Sequence, residues 1–159
     1  MDCNLEAIGA LLRERGLKLA TAESCTGGLV ASRITDIPGA SDYFVGGVVA
    51  YANPAKVSLL GVSEGTLEAH GAVSRETVLE MARGARERLG ADVGVSVSGI
   101  AGPDGGLPGK PVGTVWIAVS VAGREWARRF YFQGGRLENK AAAVEAALQL
   151  VCDYLEGKV

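Results

Sequence analysis

Eight consecutive residues, Thr21-Ala22-Glu23-Ser24-Cys25-Thr26-Gly27-Gly28, bring three hydroxyls, a thiol, a carboxylate and two glycines to one place in the chain. A β-reading segment, Leu17 to Ala22, runs into this cluster, and Leu29, Val30 and Ile34 open a helix after it. Such a strand-to-helix turn can aim side-chain oxygens and backbone N–H groups at one anionic or developing-anion centre, because a helix N-terminus carries unsatisfied donors and a positive dipole end. The stretch reads as an active-site floor.

Ser24 is the first candidate nucleophile, with neighbouring N–H groups as oxyanion donors. A serine needs a base. The single histidine, His70, lies in Glu68-Ala69-His70-Gly71, which reads as a surface turn and gives no triad geometry. Lys56 is the better base: it is five residues after Tyr51, one turn into the helix that follows the second strand. If the first two strands are neighbours, Lys56 and Tyr51 arrive at the same sheet end as Ser24. A lysine in a dry pocket loses charge stability and can accept a proton. The alternative is a solvated Lys56 beside a strand-end aromatic.

Cys25 is the rival nucleophile, since a thiolate at a helix N-terminus would have a lowered pKa; it can equally be a packing residue. Glu23 either orients Lys56 or a backbone donor, or is a rim charge. Thr26, Gly27 and Gly28 can cradle a phosphate, and the loop from Gly99 to Gly106, with Asp104 and Lys110 nearby, can form a second such nest. Neither is a Walker loop or a dinucleotide fingerprint, because no Gly-Lys-Ser/Thr and no GxGxxG occurs at these turns. Arg136 follows Gly134-Gly135, where its fork can clamp a phosphate or carboxylate. Arg128 and Arg129 read as one exposed and one paired side chain. Trp116 and Trp126 read as core or interface residues.

The elements that must position these residues alternate. Leu5, Ile8, Leu11 and Leu12 recur at helical spacing up to Gly16, and Leu17 to Ala22 is the first strand. A helix of about two turns ends near Pro38-Gly39. Phe44 to Tyr51 reads as a second buried strand, and Asn53-Pro54 as cap and first residue of a short helix to Leu60. Glu64 to Ala69 forms a further turn. Ser74 caps a long amphipathic helix through Leu89, and Asp92 to Ser98 is the third strand. Gly99 to Gly109 holds five glycines and two prolines, a loop of functional character. Val112 to Val121 and Glu125 to Phe132 form a hairpin about Ala122-Gly123-Arg124, and Leu137 to Leu155 is the closing helix. The pattern predicts an α/β fold: a single-domain three-layer sandwich whose mixed sheet is flanked by helices.

The 159 residues carry a net charge of −2 and are 48% hydrophobic, which suits one globular domain and leaves no basic footprint for sequence-independent nucleic-acid binding. Three cysteines without metal spacing, and no export signal, point to reduced thiols in the cytoplasm. No apolar run approaches the roughly 18 residues of a membrane span. No metal or cofactor is expected, and a homodimer is the default assembly.

Taken together, the blocks Thr21–Gly28, Gly46-Gly47 through Tyr51 with Asn53 and Lys56, Gly71–Ser74, Ser98–Gly106 (SGIAGPDGG) and Lys110–Gly113 resemble the CinA C-terminal domain family, whose stand-alone members include nicotinamide mononucleotide deamidase. The resemblance covers nearly the whole chain and implies one amidohydrolase domain over 1–159. It implies hydrolysis of the carboxamide of nicotinamide mononucleotide to nicotinic acid mononucleotide and ammonia, in pyridine nucleotide recycling. It assigns the nucleophile to Ser24, the base to Lys56 and a supporting role to Tyr51. Substrate binding falls to Glu23, Cys25, Thr26, Gly27, Gly28, Ser98, Gly99, Gly102 and Arg136. Gly135 and Lys140 stand where the family often has an acidic residue and a second arginine. ADP-ribose hydrolysis, attributed to the N-terminal domain of longer members, is not carried over. Two other readings stand beside it: a nucleotide-binding or regulatory module without turnover, and thiol chemistry at Cys25.

Overall fold

The computed structural model describes residues 3–159. Six helices, α1 (Leu5–Arg15), α2 (Leu29–Thr35), α3 (Asn53–Leu60), α4 (Glu64–His70), α5 (Arg75–Arg88) and α6 (Arg136–Leu155), accompany five strands. The strands are β1 (Leu19–Glu23), β2 (Phe44–Val49), β3 (Val93–Gly99), β4 (Thr114–Val121) and β5 (Arg124–Tyr131). They form one sheet in the order β2-β1-β3-β4-β5. β1 runs parallel to β2 and β3, whereas β4 runs antiparallel to both of its neighbours, β3 and β5. The sheet is mixed, as expected.

Alternation along the strands divides the interior in two. Leu19, Val93, Val95, Val97, Ile117 and Val119 join the apolar stripe of α6 (Val144, Ala147, Leu148, Val151) and residues of α1 and α2 on one face. Ala20, Ala22 and Ala118 pack with Leu60 of α3 and with Val78, Met81 and Ala85 of α5 on the other. The small side chains on this second face let α5 approach the sheet closely. Three layers result.

Caps explain the helix limits. Asn4 accepts from the Ala7 amide at 2.8 Å, Gly16 closes α1 at φ 65°, and Ser74 accepts from Thr77 at 3.2 Å to begin α5. Three local expectations are corrected. Asn53 is not the cap of α3: Ala52 holds that position and makes no side-chain cap bond, so Asn53 is already helical. β2 is not a buried strand; it lies at the sheet edge with Val45 and Val49 exposed, because nothing pairs beyond it. Arg128 and Arg129 are both exposed and neither is in an ion pair among the described residues; they lie over Phe130 and over Trp116 and Tyr131 instead.

The cysteines also depart from expectation. Cys3 and Cys152, 149 residues apart, form a disulfide that ties the start of the described chain to α6, and only Cys25 is free. Glu156 lies against the same pair, so that three ligand-type atoms fall within 4.8 Å, with both sulfurs bonded to each other. Among the described residues no helix is long and apolar enough to cross a membrane.

Candidate active site

The chain leaves β1 toward α2 on one face of the sheet and leaves β2 toward α3 on the other. A crevice opens between such diverging connections at the carboxyl ends of parallel strands. Ser24 comes from the first connection; Tyr51 and Lys56 come from the second.

The two meet. Lys56 Nζ lies 3.0 Å from Ser24 Oγ and donates to the Tyr51 carbonyl at 2.9 Å; Ser24 Oγ is 3.4 Å from that same carbonyl. Lys56 is 1% exposed and Ser24 8%. Burial drives the Lys56 pKa below its ordinary 10.5, and no carboxylate forms an ion pair with it among the described residues. Nζ reaches two oxygens, the Tyr51 carbonyl and the serine hydroxyl, and as a neutral amine it keeps the first contact while its lone pair is free to accept the serine proton. An ammonium would bury a full charge with no ion-pair partner among the described residues, which is the costlier state.

Tyr51 serves the pair through its backbone oxygen, not its phenol. The ring is 61% exposed, and its hydroxyl instead accepts from Arg136 Nη2 at 3.2 Å. Arg136 Nη1 donates to the Gly102 carbonyl at 2.7 Å. The arginine therefore spans the mouth between the β2–α3 connection and the glycine loop.

Glu23 is neither a rim charge nor a partner of Lys56. It is 1% exposed and turns to the opposite face from Ser24, where its carboxylate accepts from Thr26 Oγ1 at 2.6 Å, Val30 N at 2.8 Å and Ala31 N at 3.1 Å. The first donors of α2 are thus consumed internally, which corrects the expectation that the helix N-terminus faces a ligand. The amides of Cys25 and Thr26 donate to no protein oxygen among the described residues. Gly27 and Gly28 adopt φ 60° and 103°, a left-handed turn that side chains resist, and this is what swings the chain from Ser24 into α2.

Cys25 is buried, and burial raises its pKa to about 11. The thiol is held above its ordinary value, against the expectation of a lowered one, since desolvation outweighs the backbone hydrogen bonds to the sulfur. Ser98 Oγ donates to Ala72 O at 2.9 Å, fixing the α4–α5 connection as one wall.

A cleft of about 210 Å³ gathers Ser24, Cys25, Tyr51, Lys56, Ser98, Gly99 and Arg136. Glu23, Thr26, Gly27, Gly28 and Gly102 stand behind it as scaffold and do not line it. His70 is exposed, faces Glu76 at 3.6 Å and does not line the cleft. Two polar residues of the cleft region had no site role in the sequence reading. Asn53, released from capping, lines the cleft. Asn139, 2% exposed, accepts from Gly134 N at 2.9 Å and donates to Ala101 O at 3.0 Å, clamping the glycine loop to the start of α6. Only its place beside Arg136, one turn along the same helix, signals such a role.

Comparison with known proteins agrees with this architecture. Residues 3–155 match the CinA C-terminal domain. A CinA-like protein of Chloroherpeton thalassium is 54% identical over 154 residues, 94% of this chain and 37% of the relative. The chain spans little more than a third of the length of the curated relatives it matches. Among solved structures, a competence/damage inducible protein of Agrobacterium tumefaciens is 41% identical with a TM-score of 0.88, covering 98% of each chain. A CinA superfamily protein of Escherichia coli is 37% identical with a TM-score of 0.89, covering 95% of this chain and 90% of the other.

Proposed function

The chain belongs to the CinA C-terminal domain family, and from that premise we propose that it hydrolyses the carboxamide of nicotinamide mononucleotide, giving nicotinic acid mononucleotide and ammonia. The observation that carries the reading is the 3.0 Å approach to a serine hydroxyl of a buried lysine that has no counter-ion among the described residues. A serine whose proton can pass to a neutral amine is an activated nucleophile, and a linear amide is a substrate that such a pair can open without a metal.

In this scheme Lys56 takes the Ser24 proton as Oγ bonds to the amide carbon. The carbonyl electrons move to oxygen, and the free amide of Cys25, which lines the cleft, stabilises that oxyanion. Lys56 returns its proton to the leaving nitrogen, the C–N bond breaks and ammonia departs, leaving an ester on Ser24. Water then gives a proton to Lys56 and attacks the ester; collapse frees the carboxylate product and restores the serine proton from Lys56. Arg136 and Asn53 bound the substrate at the mouth.

The test is ammonia release from nicotinamide mononucleotide by the wild type and by Ser24→Ala. The variant is expected to lose activity by a factor of a thousand or more while keeping its fold. Undiminished turnover would end the serine scheme.

A further inference from the structure

A second cavity of about 320 Å³ lies beside the proposed catalytic cleft, and Val73 lines both. Its walls come from the start of α5 and from the loop before β4, and its floor comes from β4 and β5. Three cations surround it: Arg75, Lys110 and Arg129. No carboxylate forms an ion pair with any of them among the described residues. Lys110 Nζ is fixed by the His70 carbonyl at 2.7 Å, and the Arg129 guanidinium rests over the Trp116 ring, 5.8 Å from its centroid. The one acid of the lining, Glu76, faces His70. Uncompensated positive charge around a cleft, with one cation braced by an indole and another by a carbonyl, is the arrangement that takes a multivalent oxyanion.

The sheet register ties this cavity to the reacting serine. Glu23 pairs with Val97, so Ser24 follows on beside Ser98; Ser98 pairs with Trp116, and Trp116 with Arg129. Directly paired residues present their side chains on the same face. Ser24, Ser98, Trp116 and Arg129 therefore form one row across the sheet; Ser98 within it is covered by the Ala72 carbonyl, so the row measures the separation of the two cavities, and a ligand joining them passes over Val73, which lines both. At about 4.8 Å per strand the row is roughly 14 Å long. A mononucleotide, from ring amide through ribose to phosphate, covers two to three such steps.

We propose that this cavity is the phosphoryl subsite, which takes the phosphate of a nucleotide whose amide lies at Ser24. The inference rests on the amidase reading for the identity of the nucleotide, but not for the affinity of the cavity for phosphate esters. Arg136 is the other phosphate candidate, and two of its N–H groups are already engaged by Gly102 and Tyr51.

The experiment uses Arg75→Gln, Arg129→Gln and their combination; both side chains are exposed, so the fold tolerates the change. Lys110 is left in place because it holds the His70 carbonyl. Ribose 5-phosphate is titrated into each protein by calorimetry, and KM and kcat for nicotinamide mononucleotide are measured in parallel. Each substitution is expected to weaken ribose 5-phosphate about tenfold and to raise KM by a similar factor, with kcat within threefold of wild type. Unchanged ribose 5-phosphate affinity in the double variant, or no binding to the wild type, overturns the subsite whatever the turnover. Binding that is lost in the variants, from a protein with no amidase activity, overturns the amidase reading and leaves the subsite standing.

Discussion

Replacing Lys56 by methionine separates the chemical use of this side chain from its structural cost. Methionine keeps an unbranched chain of similar length, and the Tyr51 carbonyl retains the Ser24 hydroxyl 3.4 Å away as a partner, so the cleft loses its base without losing its shape. Removal of a positioned general base costs about 10²–10⁴ in rate, or roughly 3–5 kcal/mol in the barrier. The loss is expected in kcat, with KM changed little, because Lys56 touches Ser24 and not the remote parts of the substrate. The wild-type rate should also rise with pH as Lys56 passes through its depressed pKa and becomes neutral; the variant should lack that limb. Stability supplies an independent reading. The folded pKa lies below 10.5, so between the two values the unfolded chain binds more protons than the folded one. Wild-type stability therefore gains on Lys56→Met as pH rises from the depressed folded value to 10.5, by up to about 1.4 kcal/mol per pH unit, and the difference is constant below and above that window. Stopped ammonia assays and urea unfolding at several pH values measure both. A variant within threefold of wild-type kcat, or a stability difference that shrinks with rising pH, would refute a neutral, catalytic Lys56.

Other perturbations test the surrounding structure. Glu23→Gln places an amide NH₂ where a carboxylate oxygen now accepts from Val30 or Ala31; the expected loss is about 1–3 kcal/mol, seen as a Tm lower by roughly 2–12 °C, and an unchanged Tm would contradict the buried cap. Cys25→Ser should retain at least a third of the wild-type rate, and loss of activity with the fold intact would revive thiol chemistry. Denaturation without reductant should expose one titratable thiol, and three after reduction, with Cys3→Ser less stable by about 2–5 kcal/mol; three thiols before reduction would remove the disulfide.

Much of the site was legible because its parts are local. The alternation of Leu19 to Glu23, the hydroxyl cluster and the Gly27-Gly28 turn predict a strand, a nucleophile and a change of direction from neighbouring residues alone. Lys56 was legible as a base only on the assumption that β1 and β2 are adjacent, which the parallel register bears out. What escaped depends on atoms distant in sequence. Cys3 and Cys152 are joined only because α1 and the chain before it pack against α6. Asn53 resembles a cap by type and spacing, yet the preceding extended residue, Ala52 at ψ 154°, takes that position. The phenol of Tyr51 was the natural choice for a supporting group, because spacing reports which residue reaches a site and not which of its atoms does.

The period of the strand explains why a carboxylate can sit next to Ser24, the proposed nucleophile, in sequence without disturbing the Ser24–Lys56 contact. A negative charge near Lys56 would hold its proton and raise its pKa, leaving an ammonium that cannot accept from serine. Glu23 and Ser24 are adjacent, but successive side chains of an extended chain point to opposite faces, so Glu23 goes to the α2 side and Ser24 to the α3 and α5 side. There the carboxylate is already matched by three donors, and Lys56 is left with desolvation as the main influence on its pKa. Moving the acid by one residue in either direction would put charge into the cleft. The same alternation that buries the two faces of the sheet thus keeps the anchoring acid and the Ser24–Lys56 pair electrostatically apart.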